Sequence, residues 1–141
     1  MVLQRWQSVL LFLAAVLMVC NLFVPLASVA DNASSDSCTL LYLTQYPVLM
    51  TLDILCGIII LISIFMYRNL KKQMKVNRLS MLLIIILAIA ATVTLCVNSP
   101  GFAPAWLGVA MILFCALILC IMAGRLMQRD YNLLRSADRL R

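Results

Sequence analysis

Four long blocks of apolar residues, at 9–30, 48–67, 79–97 and 105–124, decide what this chain can fold into. Each holds 19 to 22 residues. A helix rises about 1.5 Å per residue, so each block reaches across a hydrocarbon core about 30 Å thick with modest tilt. The blocks are apolar on every side. A membrane barrel needs segments of about ten residues that alternate apolar and polar, whereas a helix lets each segment satisfy its own backbone in lipid. The isoleucine-rich run 58–62 favours a strand in water, but hydrogen-bond demand in lipid overrides that propensity. With 65% hydrophobic and 11% charged residues, against about 45–50% and roughly 25% in soluble domains, a water-soluble globule could not hide so much apolar surface. What remains outside the blocks is short links and a tail, with no room for a separate soluble domain. The expectation is one all-α membrane domain over 1–141, an integral membrane four-helix bundle with a cytoplasmic tail at 125–141.

The eleven basic residues fall in three places. Arg5 precedes the first block; Arg68, Lys71, Lys72, Lys75 and Arg78 lie between the second and third; Arg125, Arg129, Arg135, Arg139 and Arg141 follow the fourth. The link 31–47 carries only Asp31 and Asp36, and the link 98–104 carries no charge. Short loops rich in Lys and Arg stay in the cytoplasm, so both termini are expected there and the two cation-free links outside. Trp6 and Tyr67 then fall at the inner interface and Tyr46 and Trp106 at the outer one, where aromatic anchors are common. A rival reading of the first block is a cleaved signal peptide, with Arg5 as its charged start and Ser28, Val29 and Ala30 as small residues before a cut at Asp31. Its apolar stretch is long for a signal peptide, so the block is expected to be kept as a span.

Residues 31–39 are rich in Ser, Asp and Asn and suit a solvated loop; 40–46 are apolar enough to lie along the surface before Pro47 opens the second helix. No Gly or Pro interrupts 68–78, so the second and third helices are expected to run on past the bilayer before a tight turn. Residues 98–104 read as a plain turn. In the tail, Leu126, Leu133, Leu134, Ala137 and Leu140 recur at near-helical spacing, which predicts a C-terminal amphipathic helix, with Asp138 placed to pair with Arg135 and Arg141.

Asp53 is the one ionisable residue inside a block, roughly 9 Å from the outer end of the second helix. A charge at that depth is costly, so Asp53 must reach water, find a partner or take up a proton. Pro25 cannot donate to the carbonyl of Asn21, which predicts a kink in the outer half of the first span. Asn21 and Asp53 lie at comparable depths and are expected to meet across the first and second spans, as a candidate intramembrane polar site. Ala116, Cys120 and Gly124 recur every four positions and mark a candidate packing face, because small residues let helix backbones approach. Of the six cysteines only Cys38 is plainly outside a block, and no Cys-x-x-Cys pair exists. The cytoplasmic basic surface of Arg68, Lys71, Lys72, Lys75, Arg78, Arg135, Arg139 and Arg141 suits anionic lipid headgroups. It lacks the interleaved aromatics of a nucleic-acid binder.

There is no histidine, no Gly-rich phosphate loop, and no matched pair among the four carboxylates outside the blocks. No catalytic centre, metal site or cofactor is therefore expected. Residues 1–15, MVLQRWQSVLLFLAA, and 130–141, DYNLLRSADRLR, resemble the start and finish of a Bacteroidetes family of four-span inner-membrane proteins catalogued as domain of unknown function 4293. That family more often carries an aliphatic residue in place of Trp6. The resemblance covers the whole chain in length and layout, implies that the first span is kept and that the host is a Gram-negative bacterium, and brings no established activity. The function expected is that of a non-catalytic accessory or assembly protein engaging lipid, a membrane-protein partner or further copies of itself. The alternative is a small oligomeric transporter using Asp53, similar in size to small four-span drug exporters, although those carry their membrane carboxylate in the first span.

Overall fold

The computed structural model describes residues 2–30, 38–66, 69–98 and 106–139, with side chains over 6–26, 40–66, 69–97 and 108–136. Four helices form: α1 (Val2–Asn21), α2 (Pro47–Phe65), α3 (Leu70–Asn98) and α4 (Trp106–Arg139). They pack as a ring, α1 on α2 and α4, and α3 on the same two, with neighbours antiparallel. Pro47 stands at the first position of α2, where its missing N–H is one of those a helix start leaves unpaired.

A seam of buried residues runs down each helix in steps of four and three, which alternate throughout except for two successive steps of four at the end of α3. In α1 it is Gln7, Leu11, Ala14, Met18 and Asn21; in α2, Leu49, Asp53, Cys56, Ile60 and Ser63. In α3 it is Gln73, Asn77, Ser80, Ile84, Leu87, Ala91 and Leu95; in α4, Val109, Leu113, Ala116, Cys120, Ala123 and Met127. That rhythm is the seam of left-handed, nearly parallel helix packing. Large apolar side chains such as Phe12, Ile86 and Phe114 point outward while polar ones are buried. This reverses the usual order in water and suits hydrocarbon as the solvent. Hydroxyls along the helices turn back onto their own backbone, Thr92 to the Ile89 carbonyl at 2.7 Å and Thr94 to that of Ala91 at 2.9 Å. By length and composition three helices can cross a membrane, Pro47–Phe65, Leu70–Val97 and Gly108–Ser136; Trp6–Asn21 is a shorter apolar helix.

The first block departs from expectation. Instead of one kinked helix over 9–30, α1 begins at Val2 and ends at Asn21, and Pro25–Ala30 forms a strand, β1, paired antiparallel with β2 (Cys38–Tyr42). The last turn of α1 tightens, with the Leu22 and Phe23 amides donating to the carbonyls of Val19 and Cys20 at 3.3 and 3.1 Å. Pro25 inside a helix would remove a donor and clash with the preceding turn, whereas at the start of a strand its missing N–H costs little. The register shifts between Pro25 and Ala27, leaving Leu26 as the extra residue of a bulge, fully buried in a strand that packs against α4. Residues 40–46 also do more than skirt the surface: after β2 a short 3-10 turn, Leu43–Gln45, buries Leu43. The hairpin therefore sits at the end of the ring where α1 ends and α2 begins.

At the opposite end α3 starts at Leu70, nine residues before its apolar run, as the absence of Gly and Pro from 68–78 predicts, whereas α2 ends at Phe65 and does not run on past its block as expected. The amphipathic tail is not a separate helix, because α4 continues unbroken through Gly124 to Arg139. Its inward side is also different from the one expected. Met127, Asp130 and Tyr131 turn toward the neighbouring helices, while Leu133 and Leu134 are 64% and 59% exposed. Arg68, Arg141, the links 31–37 and 99–105, and the side chains of Asp138 and Arg139 lie outside the described residues.

Candidate functional site

Asn21 is the last residue of α1 and Asp53 lies in the second turn of α2, both on the inner seam. The antiparallel crossing brings them to the same height, and Asn21 Nδ2 donates to Asp53 Oδ1 at 2.9 Å. They are 0% and 1% exposed, and Asn21 Oδ1 is left without a partner. Beside them, on the outer side of the α1/α2 contact, runs an apolar groove of about 390 Å³ lined by Phe12, Met18, Asp53, Gly57, Ile58 and Leu61 among others, and by no cation. A buried carboxyl with one neutral amide donor ties two helices together. In lipid such a contact is worth about 0.6–2 kcal/mol.

Towards the other end the seam is polar again. Gln7 Nε2 donates to Asp130 Oδ2 at 2.5 Å, joining the start of α1 to the far end of α4. Asn77 Nδ2 donates to the backbone carbonyl of Cys120 at 2.9 Å, and Ser80 Oγ donates to the carbonyl of Asn77 at 2.7 Å. Gln73 and Ser63 are buried in the same half, with Ser63 Oγ and Asn77 Oδ1 unpartnered. Apart from Cys120, expected as part of a packing face, none of these stood among the candidates drawn from sequence. The signal was present, because Gln73, Asn77 and Ser80 recur at i, i+4 and i+7 and so share one helix face.

The small-residue stripe of α4 meets this polar face of α3. Ala116 and Cys120 are fully buried, and Gly124 is half-buried against Asn77. A methyl group at Gly124 would lie 2.9 Å from Asn77 Nδ2, so glycine there leaves the amide room to reach the Cys120 carbonyl. Cys56 is buried as well, whereas Cys20, Cys96 and Cys115 lie on the outer surface. Among the described residues no cluster of three or more Cys, Asp or Glu gathers that could hold a metal ion. Cys38 opens β2, its side chain outside the described residues.

Lys71, Lys72, Lys75, Arg78 and Arg135 are all exposed at the end where α3 begins and α4 runs on. Lys71 Nζ stands 5.6 Å from the centre of the Tyr131 ring, within cation–π range, a contact between the start of α3 and the end of α4. A family model described as Domain of unknown function (DUF4293) matches residues 3–140. The chain belongs to that family. No curated protein and no solved structure matches it. In this DUF4293 chain the match takes in both polar contacts that tie α1 to its neighbours, Asn21 to Asp53 and Gln7 to Asp130.

Proposed function

We propose that the chain crosses a bacterial inner membrane four times, with both ends in the cytoplasm, and serves there as a non-catalytic accessory or assembly protein. The observation that carries this reading is how its polar side chains are used. Those inside the ring join one helix to another, as in Asn21 to Asp53, Gln7 to Asp130 and Asn77 to the Cys120 carbonyl. The cations stand outside, on the paired ends of α3 and α4. Such an interior favours a rigid body over a reaction centre. At about 1.5 Å per residue, the 34 residues of α4 reach roughly 50 Å, some 20 Å beyond a hydrocarbon core of about 30 Å. The basic projection this leaves belongs in the cytoplasm by the charge bias of membrane loops, and it offers a surface to a lipid or a protein partner. The 20 residues of α1 suffice for a fourth crossing of about 30 Å.

Single-cysteine variants on a cysteine-free background test the sidedness. An impermeant thiol reagent applied from the periplasmic side should label a cysteine at Thr44 and spare one at Lys72, and the reverse would end the topology. Cross-linking followed by mass spectrometry on native membranes should return one recurrent protein partner; only abundant bystanders would count against an assembly role.

A second reading has one observation in its favour: Asp53 borders the open groove between α1 and α2, so a small oligomeric transporter could use it for coupling. Proton-coupled flux in proteoliposomes separates the two. The accessory reading predicts no flux in wild type or Asp53→Asn, whereas transport abolished by that substitution establishes the alternative.

A further inference from the structure

Where α3 begins and α4 runs out, the two helices enclose a cleft of about 560 Å³. Lys71, Lys72 and Arg135 line it, with the Tyr131 ring and the side chains of Leu70 and Leu134. No acidic residue borders it, and none of the three cations has a carboxylate partner among the described residues. On α4 Asp130 is engaged by Gln7, and the side chain of Asp138, three residues past Arg135, lies outside the described residues. Three cations thus share one concavity that no acidic residue borders among the described residues, an arrangement that an anion in the cleft would neutralise. The cleft is partly pre-shaped, since Lys71 is held over Tyr131 at 5.6 Å. Its volume falls in the range of small-molecule sites. Leu134, one of its lining residues, is exposed alongside the basic groups. Cations beside an exposed leucine, about two turns before the apolar run of α3, are what a lipid headgroup at a membrane surface meets.

We infer that the cleft between the start of α3 and the end of α4 is a binding site for the phosphate of an anionic phospholipid headgroup, gripped by Lys71, Lys72 and Arg135 with its glycerol side against Leu134. This rests on the preceding reading in one respect, that this end of the ring lies at a membrane surface. The chemistry is that of a phosphate monoanion, which a soluble phosphate compound would share, so the test separates the two sources.

The full chain in zwitterionic detergent is titrated with phosphatidylglycerol, phosphatidylcholine, glycerol 3-phosphate and inorganic phosphate, and retained lipid is counted by native mass spectrometry. Wild type is compared with the cleft variant K71Q/K72Q/R135Q and with R78Q/R125Q/R129Q, which removes the same charge elsewhere. All six positions are exposed, and unchanged helix content verifies the fold of each variant. The expected result is that wild type retains phosphatidylglycerol over phosphatidylcholine, the cleft variant loses it by about tenfold or more, and the charge-matched variant stays within about twofold. Equal losses in the two variants would replace the site with diffuse attraction, and displacement of the lipid by millimolar phosphate or glycerol phosphate would assign the cleft to a soluble ligand. Micelles have no sides, so reversed thiol labelling strikes the topology alone, while a lost contrast between the variants strikes the cleft alone.

Discussion

Asn21 and Asp53, 32 residues apart in sequence, share a 2.9 Å hydrogen bond at the point where α1 ends and α2 is one turn old. Both are buried, and the groove that Asp53 borders is apolar, so neither has a ready replacement partner if the other is removed. A double-mutant cycle of Asn21→Leu and Asp53→Leu, followed by detergent unfolding, should therefore be non-additive, with a coupling of about 0.6–2 kcal/mol. Asp53→Asn keeps an acceptor at Oδ1 and should lose less than Asp53→Leu. Strict additivity would mean that the contact contributes nothing to stability.

Gly124 and Asn77 make a second coupled pair. Gly124→Ala would place a methyl group 2.9 Å from Asn77 Nδ2, and the amide can withdraw only by giving up its 2.9 Å bond to the Cys120 carbonyl. The substitution should cost about 1–3 kcal/mol, since a buried donor is left unpaired. In an Asn77→Ala background the clash is gone and the same change should be nearly neutral. If Gly124→Ala costs the same in both backgrounds, Asn77 is not what constrains that position.

Much of this architecture is legible from residue type alone, because lipid imposes one rule on every segment. The blocks beginning near Val48, Leu79 and Ala105 appear as helices, and the uninterrupted 68–78 stretch lets α3 start early. Asn21 and Asp53 can be matched by depth because they are the polar side chains in otherwise apolar surroundings. The first block reads less well. Hydropathy sees Pro25–Ala30 as more of the same apolar run, and only pairing with Cys38–Tyr42, a non-local event, makes those residues a strand. The tail misleads for a related reason. Leu133 and Leu134 set a helical rhythm, but which side of α4 faces inward is decided upstream, by the seam through Cys120, Ala123 and Met127. Gln73, Asn77 and Ser80 are legible only when polar spacing, rather than apolar spacing, is followed.

The hairpin is anchored through Leu26, the bulge residue, which is wholly buried, whereas Leu40 on the partner strand is exposed. Leu26→Ala should destabilise by about 2–5 kcal/mol through the lost contacts and the cavity left behind. Leu40→Ala should shift the midpoint little, within about 0.5 kcal/mol. Thermal unfolding in detergent compares them directly. Equal effects would mean that the hairpin rests on the ring without being packed into it.

Gln7 and Asp130 close the ring at the other end, where their side-chain hydrogen bond joins α1 to the projecting part of α4. A hydrogen bond to a carboxylate is worth about 1.5–3 kcal/mol, so its loss should raise the population of a detached α4 end about tenfold or more. Arg125, Arg129 and Arg135 offer trypsin sites along that stretch. Where opening and closing are fast relative to cleavage, proteolysis follows the open population. Gln7→Leu should therefore speed cleavage within the α4 end about tenfold while leaving the rest of the chain intact, and Asn21→Leu, at the far end of α1, should not. Asp130→Asn retains an acceptor for the Gln7 amide and should fall between wild type and Gln7→Leu. If Gln7→Leu and wild type are cut at the same rate, the end of α4 is held by packing of Met127 and by Lys71 on Tyr131, and Gln7 plays no part in closing the ring.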